Sequence, residues 1–364
     1  MTKLQVLFVD HPNYDSPEYR DFSSRYDCIH YSLTTKEQLI YDLNTQFKNI
    51  VAIYGGWIGF SSIGGCPQDL IDHIPRSVQI FALCSIGYNG YDLAGLSARN
   101  IALTNAPSNI ASNSVADLVL YNSLQSFRNF QIVAANVGGK LNQSSVLRYS
   151  LKHGKFDQES GKAVISPQDG TSFGDLTCGR PNLSPMGANA VIVGFGSIGQ
   201  IIGQRLSSIG MNIHYVKRTE LSQSEAESLG YRSTYHSSLQ QTTGFADLVI
   251  IACPGGPSTK HLINEQIIND MAKPFRIINI GRGTSVDEHA LVAGLKSGKV
   301  LFAGLDVFEE EPQIHPELVG RQDVVITPHI GSGTHENFNY TMKLAFDNID
   351  NVINGNDEHI TRVN

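Results

Sequence analysis

The stretch that most limits what this chain can become is Ala188-Asn189-Ala190-Val191-Ile192-Val193, which runs directly into Gly194-Phe195-Gly196-Ser197-Ile198-Gly199. A short run that is almost entirely apolar reads as a strand covered on both faces. Behind the glycines, Ile198, Ile201, Ile202, Leu206 and Ile209 step along the core stripe of a helix. Gly194 permits a tight turn, Gly196 lets a ligand approach the backbone, and Gly199 lets helix and strand pack closely. The helix N-terminus then offers free N–H groups and the positive end of its dipole to phosphates. Strand, turn and helix in this order read as a site for the pyrophosphate of a dinucleotide, formed by Gly194, Gly196, Ser197, Ile198 and Gly199. A glycine turn that binds nothing is the competing reading, and the strand–turn–helix context argues against it.

The rest of the chain repeats the same alternation. KLQVLFVDH, NIVAIYGG, VQIFALCS and IALTNAP read as strands ending in turns, and a second series continues through NIHYV, ADLVIIACP, FRIINIG, VLFAGLDVF and DVVITPH. Runs without polar alternation belong to parallel sheets buried between helices. The expected class is therefore α/β, with two doubly wound parallel-sheet domains of Rossmann or flavodoxin type and a cleft between them. Residues 1–112 with 334–364 would form one domain, which binds substrate. Residues 113–333 would form the other, which binds the dinucleotide. Val115, Leu118, Val119, Leu124, Phe127 and Phe130 recur at helical spacing between the two series. Residues 138–185, rich in Ser, Gly and Pro, read as a long loop, and MKLAFDNIDNVI as a tail helix packed back on the first domain.

Composition narrows the partners. With 27 basic and 34 acidic residues the formal charge is −7, a poor field for nucleic acid or an anionic membrane. No apolar run approaches the roughly 20 residues that span a bilayer, and the N-terminus reads as a first strand, not a signal peptide. Five scattered cysteines suit reduced thiols in the cytoplasm, and no Cys/His group has the spacing of a metal site.

The strand NIHYV ends in Lys217-Arg218. An NAD enzyme usually has an acid there to hold the ribose 2′-hydroxyl, whereas a basic pair suits a 2′-phosphate. NADP is the favoured cofactor. Glu220 nearby keeps NAD open, and a solvated basic turn is the bland alternative.

Three later strands end in polar residues: Arg282, Asp306 with a Glu run, and His329. Ligands of open α/β sheets sit beyond the carboxyl ends of strands, so these residues should line one cleft with the glycine turn. Arg supplies a fork for a substrate carboxylate, His a proton, and an acid orients the imidazole and raises its pKa. Those are the parts needed to reduce a 2-oxo acid.

At Asn279-x-x-Arg282-Gly283-x-x-Val286-Asp287-Glu288-x-Ala290-Leu291, Asp306-Val307-Phe308-x-x-Glu311-Pro312 and Thr327-Pro328-His329-Ile330-Gly331, the chain resembles the NAD(P)-dependent D-2-hydroxyacid dehydrogenases, the family of glyoxylate/hydroxypyruvate reductases and phosphoglycerate dehydrogenases. The likeness runs from about residue 50 to the C-terminus and includes Ser85-Ile86-Gly87-Tyr88-Asn89-x-x-Asp92 and Asn105-Ala106-Pro107. The spacing of 29 residues from Arg282 selects Glu311, rather than Glu309 or Glu310, as the partner of His329. The resemblance implies Arg282, Glu311 and His329 as catalytic residues, with Ile86 and Gly87 joining Arg282 and His329 around the substrate. It implies a cofactor lined also by Cys253, Pro254, Thr259, Ile280, Arg282, Asp306, His329 and Gly331, and a homodimer built on the helix from Val115 and the loop beyond it.

Some positions depart from the family. Asp117 stands where Glu is usual and Ala190 where Gly is usual, and residues 138–185 match poorly. Trp57 is read either as a pocket wall or as a buried packing residue, and His335 as a surface residue at a helix start. Glu311 argues against a formate dehydrogenase, whose relatives carry an amide there. A phosphoglycerate dehydrogenase stays open, although no regulatory domain follows residue 364. From another class, a dinucleotide-sensing corepressor remains the alternative to an enzyme.

Overall fold

The computed structural model describes residues 3–364. The chain divides into two compact units, Met1–Ala111 with Gly333–Asn364, and Ser112–Ser332.

The first unit holds five strands: β1 (Gln5–Phe8), β2 (Asp27–His30), β3 (Ile50–Gly56), β4 (Ile80–Leu83) and β5 (Ala102–Thr104). They pair in parallel in the order β2-β1-β3-β4-β5, the flavodoxin-like arrangement. Alternate side chains of β1 point to opposite faces, and both faces are covered. Leu7 packs with Ile53, Phe81, Leu39 and Leu43 on one side. Val6 and Phe8 pack with Tyr54, Met342, Phe346 and Ile349 on the other. The last three come from the tail helix His335–Ile353, which lies on β3 and β4. Thr334 caps that helix, and His335 is its exposed first residue.

The expected loop at 138–185 is a correction. It contains a helix, Ser144–His153, and two small hairpins formed by β6 (Lys155–Asp157) with β7 (Lys162–Val164) and β8 (Leu176–Thr177) with β9 (Arg180–Pro181). Leu147, Leu151, Phe156, Ile165 and Cys178 close over Ile132 as a satellite core. Elements this short carry too little periodicity to read from sequence. The preceding helical region also differs from the expected helix near Val115. It starts at Asn109, runs to Arg128, and breaks at Asn129 (φ 52°) before a second piece, Phe130–Ala135.

The second unit carries β10 (Asn189–Val193), β11 (Asn212–Val216), β12 (Ser233–His236), β13 (Leu248–Ile251), β14 (Phe275–Asn279), β15 (Val300–Leu305) and β16 (Val324–Ile326). All pair in parallel, in the order β12-β11-β10-β13-β14-β15-β16. Val191 and Val193 enter one core with Ile251, Ile277 and Leu305, while Ala190 and Ile192 enter the other with Ile202, Leu206 and Ile250. The strand order reverses between β10 and β13. That reversal opens a crevice at their carboxyl ends, where ligands of such sheets bind.

Candidate active site

The glycine turn sits at this switch point. Gly194 has φ +94°, and a Cβ there would lie 2.5 Å from the backbone N of Cys253, so no other residue fits. A Cβ on Gly199 would lie 2.3 Å from the Gly194 carbonyl, which explains the close packing of helix on strand. Gly196 differs: its φ of −83° is ordinary, and nothing lies within 4 Å of where its Cβ would project. The helix Ser197–Ser208 begins there with no side-chain cap, so its first N–H groups face open space. The chain itself fills neither demand, and a dinucleotide phosphate fits both.

Lys217 and Arg218 follow β11 and are half-buried, with no ion-pair partner among the described residues. Glu220 is exposed, and Glu225 is committed to Ser222 in a capping box. Past β13, burial pushes the Cys253 thiol up. The Thr259 hydroxyl closes the next turn by donating to the carbonyls of Pro254 (2.9 Å) and Gly256 (3.2 Å). Ile280 continues β14, its N–H donating to the Ile251 carbonyl.

Three turns at the ends of β14, β15 and β16 bring the expected polar residues together. Asn279, buried at the end of β14, donates through Nδ2 to the Arg282 carbonyl and accepts from the Gly281 N–H. This side-chain brace fixes the turn that presents Arg282. Asp306, 4% exposed at the end of β15, receives the Thr327 hydroxyl (2.6 Å) and the N–H groups of Ile330 (3.0 Å) and Gly331 (2.9 Å). Both of its oxygens therefore hold the turn that carries His329. His329 needs that support, because its φ of +55° is a strained conformation for a residue with a Cβ.

Glu311 accepts from the Phe308 N–H on Oε1 (3.0 Å) and from His329 Nδ1 on Oε2 (3.1 Å). Burial pushes the Glu311 carboxyl up, but these bonds and the charges of His329 and Arg282 outweigh it and hold the carboxyl below its usual range. The hydrogen bond to Glu311 raises the His329 pKa against the opposing pull of burial. The charges of Glu311 and Asp306 add to the rise, and Arg282 subtracts from it. With Nδ1 committed to Glu311, Nε2 is the nitrogen left to face a substrate, and the ring is 53% exposed. A carboxylate-backed imidazolium beside a guanidinium can deliver one proton to an oxygen while binding an anion.

The neighbouring Glu309 carboxylate is occupied elsewhere, and Glu310 is exposed. Glu309 pairs with His261 at 2.5 Å, and it and Glu288 each donate a backbone N–H to the other's carboxylate. Sequence reasoning missed this network and the brace at Asn279, because neither leaves a periodic signal. Asp117, the departure from Glu, pairs with Arg205 on the glycine-turn helix at 3.0 Å.

In the first unit, Ser85 donates to the Gly87 carbonyl and Asn105 to the Ile86 carbonyl, 2.8 and 2.9 Å. The N–H groups of Ile86 and Gly87 have no partner among the described residues. Trp57 packs against the core of Val6, Tyr54 and Met342, and its buried indole N–H is unpartnered among the described residues. Among these residues no cluster of His, Cys, Asp or Glu could hold a metal, and no helix is long and apolar enough to cross a membrane.

The chain is similar to known proteins over most of its length. Residues 176–331 match the family model described as "D-isomer specific 2-hydroxyacid dehydrogenase, NAD binding domain". A Saccharomyces cerevisiae protein named for a 2-hydroxyacid dehydrogenase is 30% identical over 99% of this chain and 97% of its own length. The glyoxylate reductase of Pyrococcus furiosus is 34% identical over 74% of this chain and 70% of its own. Among solved structures, an NADPH-dependent glyoxylate/hydroxypyruvate reductase from Sinorhizobium meliloti, in complex with NADP and malonate, superposes with a TM-score of 0.71. It is 25% identical, covering 97% of this chain and 94% of that one.

Proposed function

Starting from the D-isomer specific 2-hydroxyacid dehydrogenase family, to which this chain belongs, we propose that the protein reduces a small 2-oxo acid of the glyoxylate or hydroxypyruvate type with NADPH. The observation that carries this reading is the His329–Glu311 pair with Arg282, set at strand ends in the same sheet as an open glycine turn.

Gly194, Gly196, Ser197, Ile198 and Gly199 would hold the pyrophosphate, and Lys217 and Arg218 the 2′-phosphate. A bound nicotinamide would supply the hydride. Arg282 grips the substrate carboxylate and polarises the carbonyl. His329 gives the proton on Nε2 to the carbonyl oxygen, and Glu311 keeps that imidazole charged and oriented. The open N–H groups of Ile86 and Gly87 suit a carboxylate by the same logic as the glycine turn. Asp306 acts on the reaction by fixing the His329 turn as well as by lining the nicotinamide side. We also propose a homodimer in a reducing, cytoplasmic setting, with the five cysteines as free thiols.

The test is an initial-rate panel of glyoxylate, hydroxypyruvate, pyruvate and phenylglyoxylate with NADPH and with NADH. Turnover of the smaller acids with NADPH preferred supports the proposal. Tight dinucleotide binding with no turnover on any acid would instead favour the corepressor reading.

A further inference from the structure

Glu309 stands two residues before the carboxylate that pairs with His329, yet it faces away from the reacting groups. Its three polar bonds reach two other segments. Oε1 receives His261 Nε2 at 2.5 Å, and Oε2 receives the Glu288 N–H at 3.1 Å. The Glu309 N–H in turn donates to Glu288 Oε1 at 3.0 Å. His261 is itself fixed in the left-handed region (φ +49°), and its N–H donates to the Thr284 carbonyl at 2.8 Å. Thr284 and Glu288 belong to the turn and helix start that follow Arg282. The same two segments meet at Gly283, where a Cβ would lie 1.7 Å from the Phe308 carbonyl oxygen. The far side of Phe308, its N–H, is the group that holds Glu311 Oε1.

We propose that Glu309 is a positioning residue: clamped by His261 and Glu288, it locks the turn 308–311 onto the Arg282 turn, so that Glu311 keeps one oxygen on the Phe308 N–H and the other on His329. This rests on the proposed role of His329 as proton donor. A short side-chain hydrogen bond inside a tight turn confines a neighbouring side chain to one geometry, and misplacing a catalytic group by about 1 Å can cost about 100-fold in rate. The charged and titratable groups facing this clamp are His261, Glu288, Glu310 and His315, and those facing His329 are Glu311, Asp306 and Arg282.

The test compares wild-type protein with Glu309→Ala and Glu309→Gln, reading the His329 titration by NMR, the pH profile of kcat for reduction, and thermal unfolding. In Glu309→Ala the His329 titration and the falling limb of kcat should both move to lower pH, and kcat should drop about 10- to 100-fold. Glu309→Gln, whose amide still accepts from the Glu288 N–H and can donate to a neutral His261, should recover most of both. If Glu309→Ala does not fold, His261→Ala is judged by the same criteria. A folded variant whose His329 titrates as in wild type overturns the proposal. A wild type that turns over no 2-oxo acid defeats the functional reading instead, and the NMR titration still decides the role of Glu309.

Discussion

Two glycine turns follow inner strands of parallel sheets in this molecule, and they are put to opposite uses. In the first unit, Gly55-Gly56-Trp57 ends β3. Gly56 has φ +61°, much like Gly194 at +94°. A Cβ on Gly56 would lie 2.4 Å from the Asp10 carboxylate, whose Oδ2 accepts from the N–H groups of Trp57 (2.8 Å) and Ile58 (3.3 Å). The turn is closed by an anion of its own chain. In the second unit no carboxylate enters the turn: the space at Gly196 is open and the helix N-terminus is uncapped. The same backbone device is a structural joint where the chain brings its own negative charge, and a phosphate site where it does not.

The largest effect expected from this contrast lies in the chemistry assigned to the open turn's sheet. His329→Ala should lower turnover by roughly 10²–10⁴-fold while the NADPH Kd stays near wild type. Steady-state rates with fluorescence titration of NADPH check it, and near-native turnover would remove His329 from the reaction. Next come the phosphate contacts, each worth about 10- to 150-fold in affinity. Gly196→Val should leave the unfolding temperature almost unchanged but weaken NADPH and NADH alike by at least that factor, because the new side chain fills only the open space. A large fall in stability would show the space to be structural.

Arg218→Ala, by contrast, should weaken NADPH within that same range and leave NADH nearly untouched, with added salt eroding the NADPH advantage in the wild type. Equal kcat/KM for the two cofactors in wild-type protein would make Lys217 and Arg218 ordinary solvated residues. The closed turn gives the mirror result. Asp10→Ala leaves the N–H groups of His11, Trp57 and Ile58 without their carboxylate and should cost about 1–3 kcal/mol in denaturant unfolding, with cofactor affinity unaltered. The smallest effect is a displacement in pH. Reduction needs the His329 proton, so its rate falls as pH rises through the raised pKa. Glu311→Gln removes the first cause of that rise and should move the falling limb to lower pH. An unmoved limb means that Glu311 does not set it.

The inner strands of both sheets were legible in the sequence because burial on two faces makes them apolar throughout, as in Ala190–Val193 and Leu248–Ile251. Strands β2 and β12, Asp-Cys-Ile-His and Ser-Thr-Tyr-His, were not, since none of their residues is fully buried and they carry no apolar run, unlike the other two edge strands, β5 and β16. Arg282, Glu311 and His329 could be picked out by residue type and spacing. What holds them could not. The Asn279 brace acts within its own turn, whereas the three bonds of Asp306 and the His261–Glu309–Glu288 clamp join turns distant in sequence; all work through side chains that periodicity does not register. The basic pair at 217–218 was visible as charge, and the structure adds that neither residue forms an ion pair among the described residues, although Lys217 lies near enough to Glu225 to help hold its carboxyl down.

The most direct measurement follows one atom. Wild-type protein is incubated with NADPH carrying deuterium at both C4 positions and with glyoxylate, and the 2-hydroxy acid formed is analysed by mass spectrometry. The expected result is one deuterium at C2 of glycolate, formed at a rate that His329→Ala cuts by roughly 10²–10⁴-fold. NADPH that binds without any deuterium reaching the acid would contradict hydride transfer at this site.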